Sequence, residues 1–328
     1  MKISIALCTY NGSKYLSAQL DSFLAQTRLP DELIVCDDCS TDNTLEITNN
    51  HRVKAPFPVR VFRNPENLGS TKNFEKAIHL CSGDIIALSD QDDVWLPEKL
   101  AKIEAAFHHS PKVGMVFSDA EVVDEYLRPL GFTLWSSVGF TSRLRKKFKN
   151  NPFGCLLKSY LVTGATMAFR SRYRSLVIPF AMSYWIHDGW IALLISAVAP
   201  VSFLEERLVL YRQHHANQLG AQRDSLQKRL IKARQWGAKE IYAKVKALIC
   251  AAVRLRQYTE TVQDQNMSNY LELYVRHLLA RRKVIRRGYA GIPIALNQLI
   301  SGKYHVYSNG TKSFVSDCLR GLKKQVNM

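Results

Sequence analysis

Three short apolar runs, each ending in a polar tip, constrain this chain more than any other feature. Ile3-Ser4-Ile5-Ala6-Leu7-Cys8 stops at Thr9-Tyr10-Asn11-Gly12, Leu33-Ile34-Val35-Cys36 stops at Asp37-Asp38, and Ile85-Ile86-Ala87-Leu88 stops at Ser89-Asp90-Gln91-Asp92-Asp93. Helical patterns separate them: Leu16, Leu20, Phe23 and Leu24 share a face, Ser40 to Thr44 carries capping chemistry, and a further helix is expected from Phe74 to Leu80. Val59-Arg60-Val61-Phe62 reads as one more short strand. Strands alternating with helices predict a mainly parallel sheet flanked by helices, with right-handed crossovers. Such sheets bind ligands at the carboxyl edge of their strands, where Asp38 and the cluster Asp90 to Asp93 should lie together.

Asp90, Asp92 and Asp93 repel one another unless a hard cation or a strong donor neutralises them. An oxygen-rich site of this kind suits Mg²⁺ or Mn²⁺ bridging to substrate phosphates. The same residues also read as an Asp-rich turn capping the next helix, with Asp93 near its N-cap and Pro97 in its first turn.

Four segments in order, Ser4 to Gly12, Asp37 to Thr44, Asn67-Leu68-Gly69 and Asp90-Gln91-Asp92-Asp93-Val94-Trp95, resemble the bacterial family-two glycosyltransferases. These are inverting enzymes of the GT-A type, with a Rossmann-like fold, acting on nucleotide-diphosphate sugars. The resemblance covers residues 1 to about 220. It implies that Thr9, Tyr10 and Asn11 border the nucleoside pocket, that Asp38 reads the base, and that Asn67 belongs to the donor side. Asp90 and Asp92 would form the Asp-x-Asp pair, with Asp92 the direct metal ligand. Where many relatives have an arginine in the helix after the Asn-x-Gly turn, this chain has Lys72, which can meet phosphate as a point charge but not as a bidentate fork.

Tyr184-Trp185-Ile186-His187-Asp188-Gly189-Trp190 sets a His-Asp pair among aromatics at the start of an apolar helix. By the resemblance, Asp188 takes the proton of the acceptor hydroxyl, a role that asks for an ionised, partly desolvated carboxylate. His187 would orient the acceptor or Asp188, or be a polar residue at a helix entry; Trp185 and Trp190 suit either stacking on a sugar or core packing. Gly164, in the strand-like segment Leu161 to Arg170, permits close approach on the acceptor side. Tyr211-Arg212-Gln213-His214-His215-Ala216-Asn217 resembles a segment of rhamnosyltransferase-like members and would bring Arg212 to phosphate and a histidine to the metal. His214 is the expected ligand, although spacing alone does not separate it from His215.

Charge divides the chain. Residues 221 to 328 hold 21 Lys+Arg and 6 Asp+Glu, while residues 1 to 220 hold 24 and 22. Three regions are therefore expected: a nucleotide-sugar half over 1 to 105, an acceptor half over 106 to 220, and a basic helical region over 221 to 328. In the last, Leu226, Leu230, Ile231 and Trp236 begin a helical pattern, and Arg281-Arg282-Lys283-Val284-Ile285-Arg286-Arg287 precedes Tyr289 and the apolar Ile292 to Leu296. This order suits contact with an anionic membrane surface; nucleic acid is not expected, since no recognition motif accompanies the charge. Arg143 to Lys149 is expected as a solvated basic loop or a flap toward acceptor pyrophosphate.

No apolar run reaches the ~20 residues needed to span a bilayer. Seven scattered cysteines suggest reduced thiols. The expected activity is metal-dependent, inverting transfer of a sugar from a dTDP- or UDP-type donor to a lipid-linked saccharide in surface polysaccharide synthesis, O-antigen or capsule type, peripheral on the cytoplasmic face of a bacterial membrane. A non-catalytic nucleotide-binding adaptor is the alternative. A sugar nucleotidyltransferase is disfavoured because no Gly-rich phosphate loop follows the first strand.

Overall fold

The four runs first read as strands are strands: β1 (Ile3–Thr9), β2 (Glu32–Asp37), β3 (Val59–Arg63) and β4 (Ile85–Ser89). The structure is a computed structural model describing residues 1–181, 184–215, 217, 237–259 and 265–326. β1 pairs in parallel with both β2 and β4, and β2 with β3. The crossovers are α1 (Leu16–Leu24), α2 (Thr44–Lys54) and α3 (Ser70–Leu80). Because helices cover both faces, β1, β2 and β4 are buried along their whole length, which is why they read as continuous apolar runs.

The sheet continues through β5 (Val94–Trp95), β6 (Met115–Val123), β7 (Pro129–Thr133), β8 (Met167–Arg170) and β9 (Val201–Arg212). Its order is β3-β2-β1-β4-β8-β6-β9-β5, with β7 on β6. β8 runs antiparallel to β4 and β6, whereas β9 is parallel to β6. β5 pairs antiparallel with the end of β9, Val94 opposite Leu210 and Trp95 opposite Val209. That short ladder carries the residues after Arg212 back to the acid loop between β4 and β5. Intervening helices are α4 (Lys99–His109), α5 (Leu134–Val138), α6 (Ser142–Asn150), α7 (Pro152–Lys158), α8 (Arg174–Val177) and α9 (His187–Val198).

Two local expectations change. The basic run Arg143 to Lys149 is no loop but lies in α6, capped by Thr141 and anchored by fully buried Phe148, so its charges sit on a helix with one apolar anchor. The segment Leu161 to Arg170 is strand over Met167–Arg170 alone. Gly164–Thr166 forms a 3₁₀ turn instead, its first N–H being taken by a side chain rather than by a neighbouring strand.

The chain divides into two compact units, one of Met1–Phe180 with Ile186–Arg223, the other of Ala181–Trp185 with Asp224–Met328. The second contains α10 (Ala238–Thr259), α11 (Gln265–Arg287), α12 (Ile292–Ile300), α13 (Lys303–Tyr307) and α14 (Thr311–Val326). Val284, Ala295 and Tyr304 form a core there, with Ile294, Leu299, Phe314 and Cys318 packed on it. Leu226, Leu230, Ile231 and Trp236 lie outside the described residues.

Candidate active site

The polar tips of β1, β2 and β4 are tied to one another before any ligand is considered. Gln91 clamps the first tip from the acid loop: it accepts from Tyr10 N–H at 2.8 Å and donates to the Tyr10 carbonyl at 3.0 Å. Gly12 leaves room for this clamp, since a Cβ there would lie 2.2 Å from Gln91 Oε1 and the amide would have to move. Asn11, in the left-handed region at φ 47°, accepts from Thr41 N–H at 2.8 Å, so it joins the β1 and β2 loops. Thr9 is buried and donates to Asp37 Oδ1 at 3.0 Å. Of these three residues, Tyr10 and Asn11 are exposed and Thr9 is not.

Asp38 is buried and accepts from Asn64 Nδ2 at 2.7 Å, Leu68 N–H at 2.8 Å and Gly69 N–H at 2.9 Å. Its carboxylate therefore shapes the Asn67-Leu68-Gly69 turn, with little acceptor capacity left for the base contact expected of it. Asn67 stays exposed and accepts from Gly69 N–H at 3.1 Å. Lys72 pairs with Glu75 Oε1 at 2.6 Å and lines a cleft of about 400 Å³ with Leu68, Lys76, His79, Ile178 and Pro179.

The acid loop and the end of β9 meet as the β5 ladder requires. His214 Nε2 lies 2.9 Å from Asp92 Oδ2, and its ring packs 4.6 Å from that of Tyr15. His214 is thus the histidine at the acid loop. Arg212, expected at phosphate, is turned inward: Nε donates to the Asp92 carbonyl at 2.6 Å and a terminal N–H to the Glu125 carbonyl at 2.7 Å. It braces the loop that carries Asp92 rather than presenting an open fork. Asp93 accepts Arg212 N–H at 3.0 Å, and its other oxygen is buried with no hydrogen-bond partner among the described residues.

On the far side of the acids, the carboxylate of Asp188 in the first turn of α9 accepts Gly164 N–H at 2.9 Å, Gly189 N–H at 2.6 Å and the Tyr160 hydroxyl. Burial and the charge of Asp188 push the Tyr160 phenol well up, so it is a donor to that carboxylate. His187 stacks on Phe74 at 4.0 Å with both ring nitrogens buried and unpartnered among the described residues, and burial pushes its pKa down. Gly164 lets it in, since a Cβ there would meet His187 Nε2 at 2.8 Å. Trp190 corrects an expectation: it is 1% exposed and its indole donates to the Val177 carbonyl at 2.9 Å, so it packs the core and offers no ring face to a sugar. Trp185 is also buried; it stacks edge-on with Tyr184 in the second unit.

The acids feel one another. Burial, then Asp92, then Asp188 push Asp90 up to about 7, against the pull of Lys99. Tyr211 is pushed up by burial and by the charges of Asp93, Asp90, Asp92 and Asp188. Lys99 was missed in the sequence, where it reads as one of several charges opening α4. It is 0% exposed, donates to the Ala165 carbonyl at 2.6 Å, and sits 3.4 Å from the centre of the Trp95 ring. Its place between Leu96 and the apolar pair Leu100 and Ile103 is the signal that could have revealed it. Burial lowers its pKa, while Asp93 and Asp90 hold it up.

A divalent ion fits this chemistry. Among the described residues no cluster of three or more candidate ligands is preformed. Asp92 and His214 nonetheless stand side by side, Asp90 carries uncompensated repulsion, and one Asp93 oxygen is unpartnered. Two protein ligands completed by phosphate oxygens and water is the usual way Mg²⁺ is held.

Residues 4–162 match the family model for glycosyl transferase family 2. An uncharacterized glycosyltransferase of Nostoc sp. is 28% identical over 224 residues, 66% of each chain. A dTDP-rhamnosyl transferase of Shigella flexneri is 27% identical over 225 residues, 66% of this chain and 74% of its own. Several other curated relatives are spanned over only 36% to 45% of their length. Among solved structures, Staphylococcus aureus TarS 1–349 in complex with UDP superposes over 100% of this chain and 92% of its own, with TM-score 0.55 at 16% identity. That likeness establishes the GT-A type fold.

Proposed function

We propose, from the match of residues 4–162 to glycosyl transferase family 2, that this chain is a family member that transfers a sugar, with inversion, from a nucleotide-diphosphate donor to a hydroxyl of a lipid-linked saccharide. The observation that carries the reading is that Asp188, held by Gly164 N–H, Gly189 N–H and the Tyr160 hydroxyl, lies near enough to the acid loop for its charge to act with that of Asp92 on Asp90, while Asp92 stands against His214. A base and a diphosphate-binding cluster near one another are what single displacement demands.

In that displacement the acceptor oxygen attacks the anomeric carbon and its proton passes to the Asp188 carboxylate. The bond from that carbon to the donor diphosphate breaks, and its electron pair leaves with the diphosphate. Gly164 N–H, Gly189 N–H and the Tyr160 hydroxyl hold Asp188 in one orientation before substrate arrives. Asp92 and His214, with Asp90 beside them, are the residues that would hold Mg²⁺ or Mn²⁺. Bound there, the ion would supply Lewis-acid stabilisation of the leaving diphosphate. Tyr10 and the turn set by Asp38 would border the nucleoside. A donor of dTDP or UDP type is supported by the named activity of the Shigella relative and by the UDP complex of TarS, and a deoxyhexose such as rhamnose is the first sugar to try.

The basic second unit and the lipid-linked acceptor together support peripheral attachment to the cytoplasmic face of a bacterial membrane, in surface polysaccharide synthesis. Among the described residues no helix is long and apolar enough to cross a membrane. The test is a panel of nucleotide sugars with Mn²⁺, assayed for transfer by wild type, Asp188→Asn and Asp92→Asn. Loss of the base should lower kcat by about 10² to 10⁴. Turnover within tenfold of wild type in Asp188→Asn would remove the base from the scheme.

A further inference from the structure

α12 is apolar nearly all the way round, with sequence Ile292-Pro293-Ile294-Ala295-Leu296-Asn297-Gln298-Leu299-Ile300. A helix of this kind is normally buried on every side. Here one side is: Ala295 lies in the core of the second unit, with Ile294 and Leu299 against it. The other side is not. Pro293, Leu296 and Ile300 recur at helical spacing on one face, Leu296 is 44% and Ile300 86% exposed, and Tyr289 in the turn just before is 65% exposed. Single exposed apolar residues need no explanation, but a row of them along one helix does.

The charge around the row is of one sign. Arg286 and Arg287, at the end of α11, are exposed immediately before Tyr289, and Lys303 follows Ile300 by three positions. Between Glu272 and Asp317 the chain contains no acidic residue at all. A protein partner would have to match an apolar ridge flanked along the chain by exposed basic residues; an anionic bilayer does so by construction, with phosphates at the level of the arginines and acyl chains beneath them.

We propose that Tyr289, Pro293, Leu296 and Ile300 form a membrane-inserting ridge, with Arg286 and Arg287 on lipid phosphates. The inference rests on the peripheral attachment in the proposed function and names the surface responsible. The ridge enters the interfacial region, and the aromatic Tyr289 sits at headgroup depth where one end of its ring can stay wet.

The experiment is co-sedimentation of the full chain with vesicles of phosphatidylcholine alone and of phosphatidylcholine mixed with phosphatidylglycerol. Wild type should bind the anionic vesicles and not the neutral ones. Leu296→Ser with Ile300→Ser should weaken that binding at least tenfold, since each side chain loses its transfer into the apolar layer. Arg286→Gln and Arg287→Gln should each weaken it by about fivefold at low salt. Because these side chains face outward, the variants should keep the wild-type circular dichroism and melting curve. Transfer to a water-soluble acceptor should also be unchanged, which separates this inference from the catalytic scheme. If wild type binds anionic vesicles and the serine variant binds as well, the ridge is wrong and peripheral attachment stands. If wild type binds neither vesicle, both fall. A wild-type dimer that the serine variant converts to monomer would overturn the ridge as a lipid surface and make it a self-association face.

Discussion

Replacing Lys99 by Met tests whether a single buried ammonium organises the two halves of the candidate site. The substitution keeps the unbranched stem and removes the charge. Lost are the hydrogen bond to the Ala165 carbonyl, the placement over Trp95 and the attraction to Asp90 and Asp93. A hydrogen bond from a charged donor contributes about 1.5–3 kcal/mol, and a desolvated cation over an aromatic ring about 2 kcal/mol. Against this, the variant no longer desolvates an ammonium, a cost of several kcal/mol that the native fold already bears. Once the lost attraction to Asp90 and Asp93 is added to the first two losses, the balance should be a destabilisation of about 2–4 kcal/mol, at or below the ~3–5 kcal/mol typical of breaking a close buried ion pair. In a unit of this size, that corresponds to a Tm lower by about 5–15 °C. The functional consequence follows from connectivity: Ala165 is the next residue after Gly164, whose N–H holds Asp188. Freeing that turn should let the base drift and lower kcat by up to about 10²-fold while the donor KM stays near wild type. Differential scanning calorimetry and steady-state transfer assays measure the two effects. A Tm within 2 °C of wild type together with unchanged kcat would refute the idea that Lys99 is a strut.

Three further outcomes are expected. His277 is buried with its ring nitrogens 2.8 Å from Gln298 Oε1 and from Ser308 Oγ, and burial pushes its pKa down to about 4. The unfolded chain takes up that proton near pH 6.5 and the folded chain does not until about pH 4, so stability should drop as pH is lowered through this window by up to roughly 3 kcal/mol; stabilities from urea titrations at several pH values should drop more steeply for wild type than for His277→Gln, and equal pH dependence in the two would count against it. Asp317 accepts both arms of Arg281 at 2.6 and 3.0 Å and the Tyr304 hydroxyl at 2.9 Å, all inside the second unit. Asp317→Asn should cost about 3–5 kcal/mol by stranding the guanidinium, and the pair Arg281→Met with Asp317→Leu should cost less, as a denaturation cycle would reveal. Tyr160→Phe removes one of three donors to Asp188 and should lower kcat by about tenfold, far less than Asp188→Asn, because two backbone N–H groups still hold the carboxylate; equal losses in the two variants would mean that the tyrosine itself moves the proton.

Much of the frame was legible because its signals are local. β1, β2 and β4 announce themselves as apolar runs ending in polar tips, and α1 and α3 as periodic faces between them. What stayed hidden depends on contacts far apart in the chain. Nothing in the spacing of Tyr211 to Asn217 says that β5, two residues long, will pair with β9 and set His214 against Asp92. Tyr160 stands 28 positions from the carboxylate it serves. Trp190 and Trp185 could be read as sugar platforms or as core, since an aromatic ring looks the same in sequence either way. The basic run of α6 was misread as loop because its lone anchor, Phe148, is a weak periodic signal among five charges from Arg143 to Lys149.

The electrostatics also explain why the adaptor reading is the weaker of the two. A protein that merely held a nucleotide would gain nothing from bringing the charges of Asp90, Asp92, Asp93 and Asp188 to bear on one buried tyrosine, because each added carboxylate makes binding of a diphosphate harder. Lys99 does not resolve the conflict: its ammonium is hydrogen-bonded to the Ala165 carbonyl and not to a carboxylate of the acid loop. Such an arrangement is tolerable where a divalent cation arrives with the donor and where one carboxylate is kept apart to accept a proton. Asp188 has donors of its own, from Tyr160, Gly164 and Gly189 and none from the acid loop, which suits the proposed base role. Mutual repulsion among these carboxylates thus becomes selectivity for a metal-bound diphosphate over a free one.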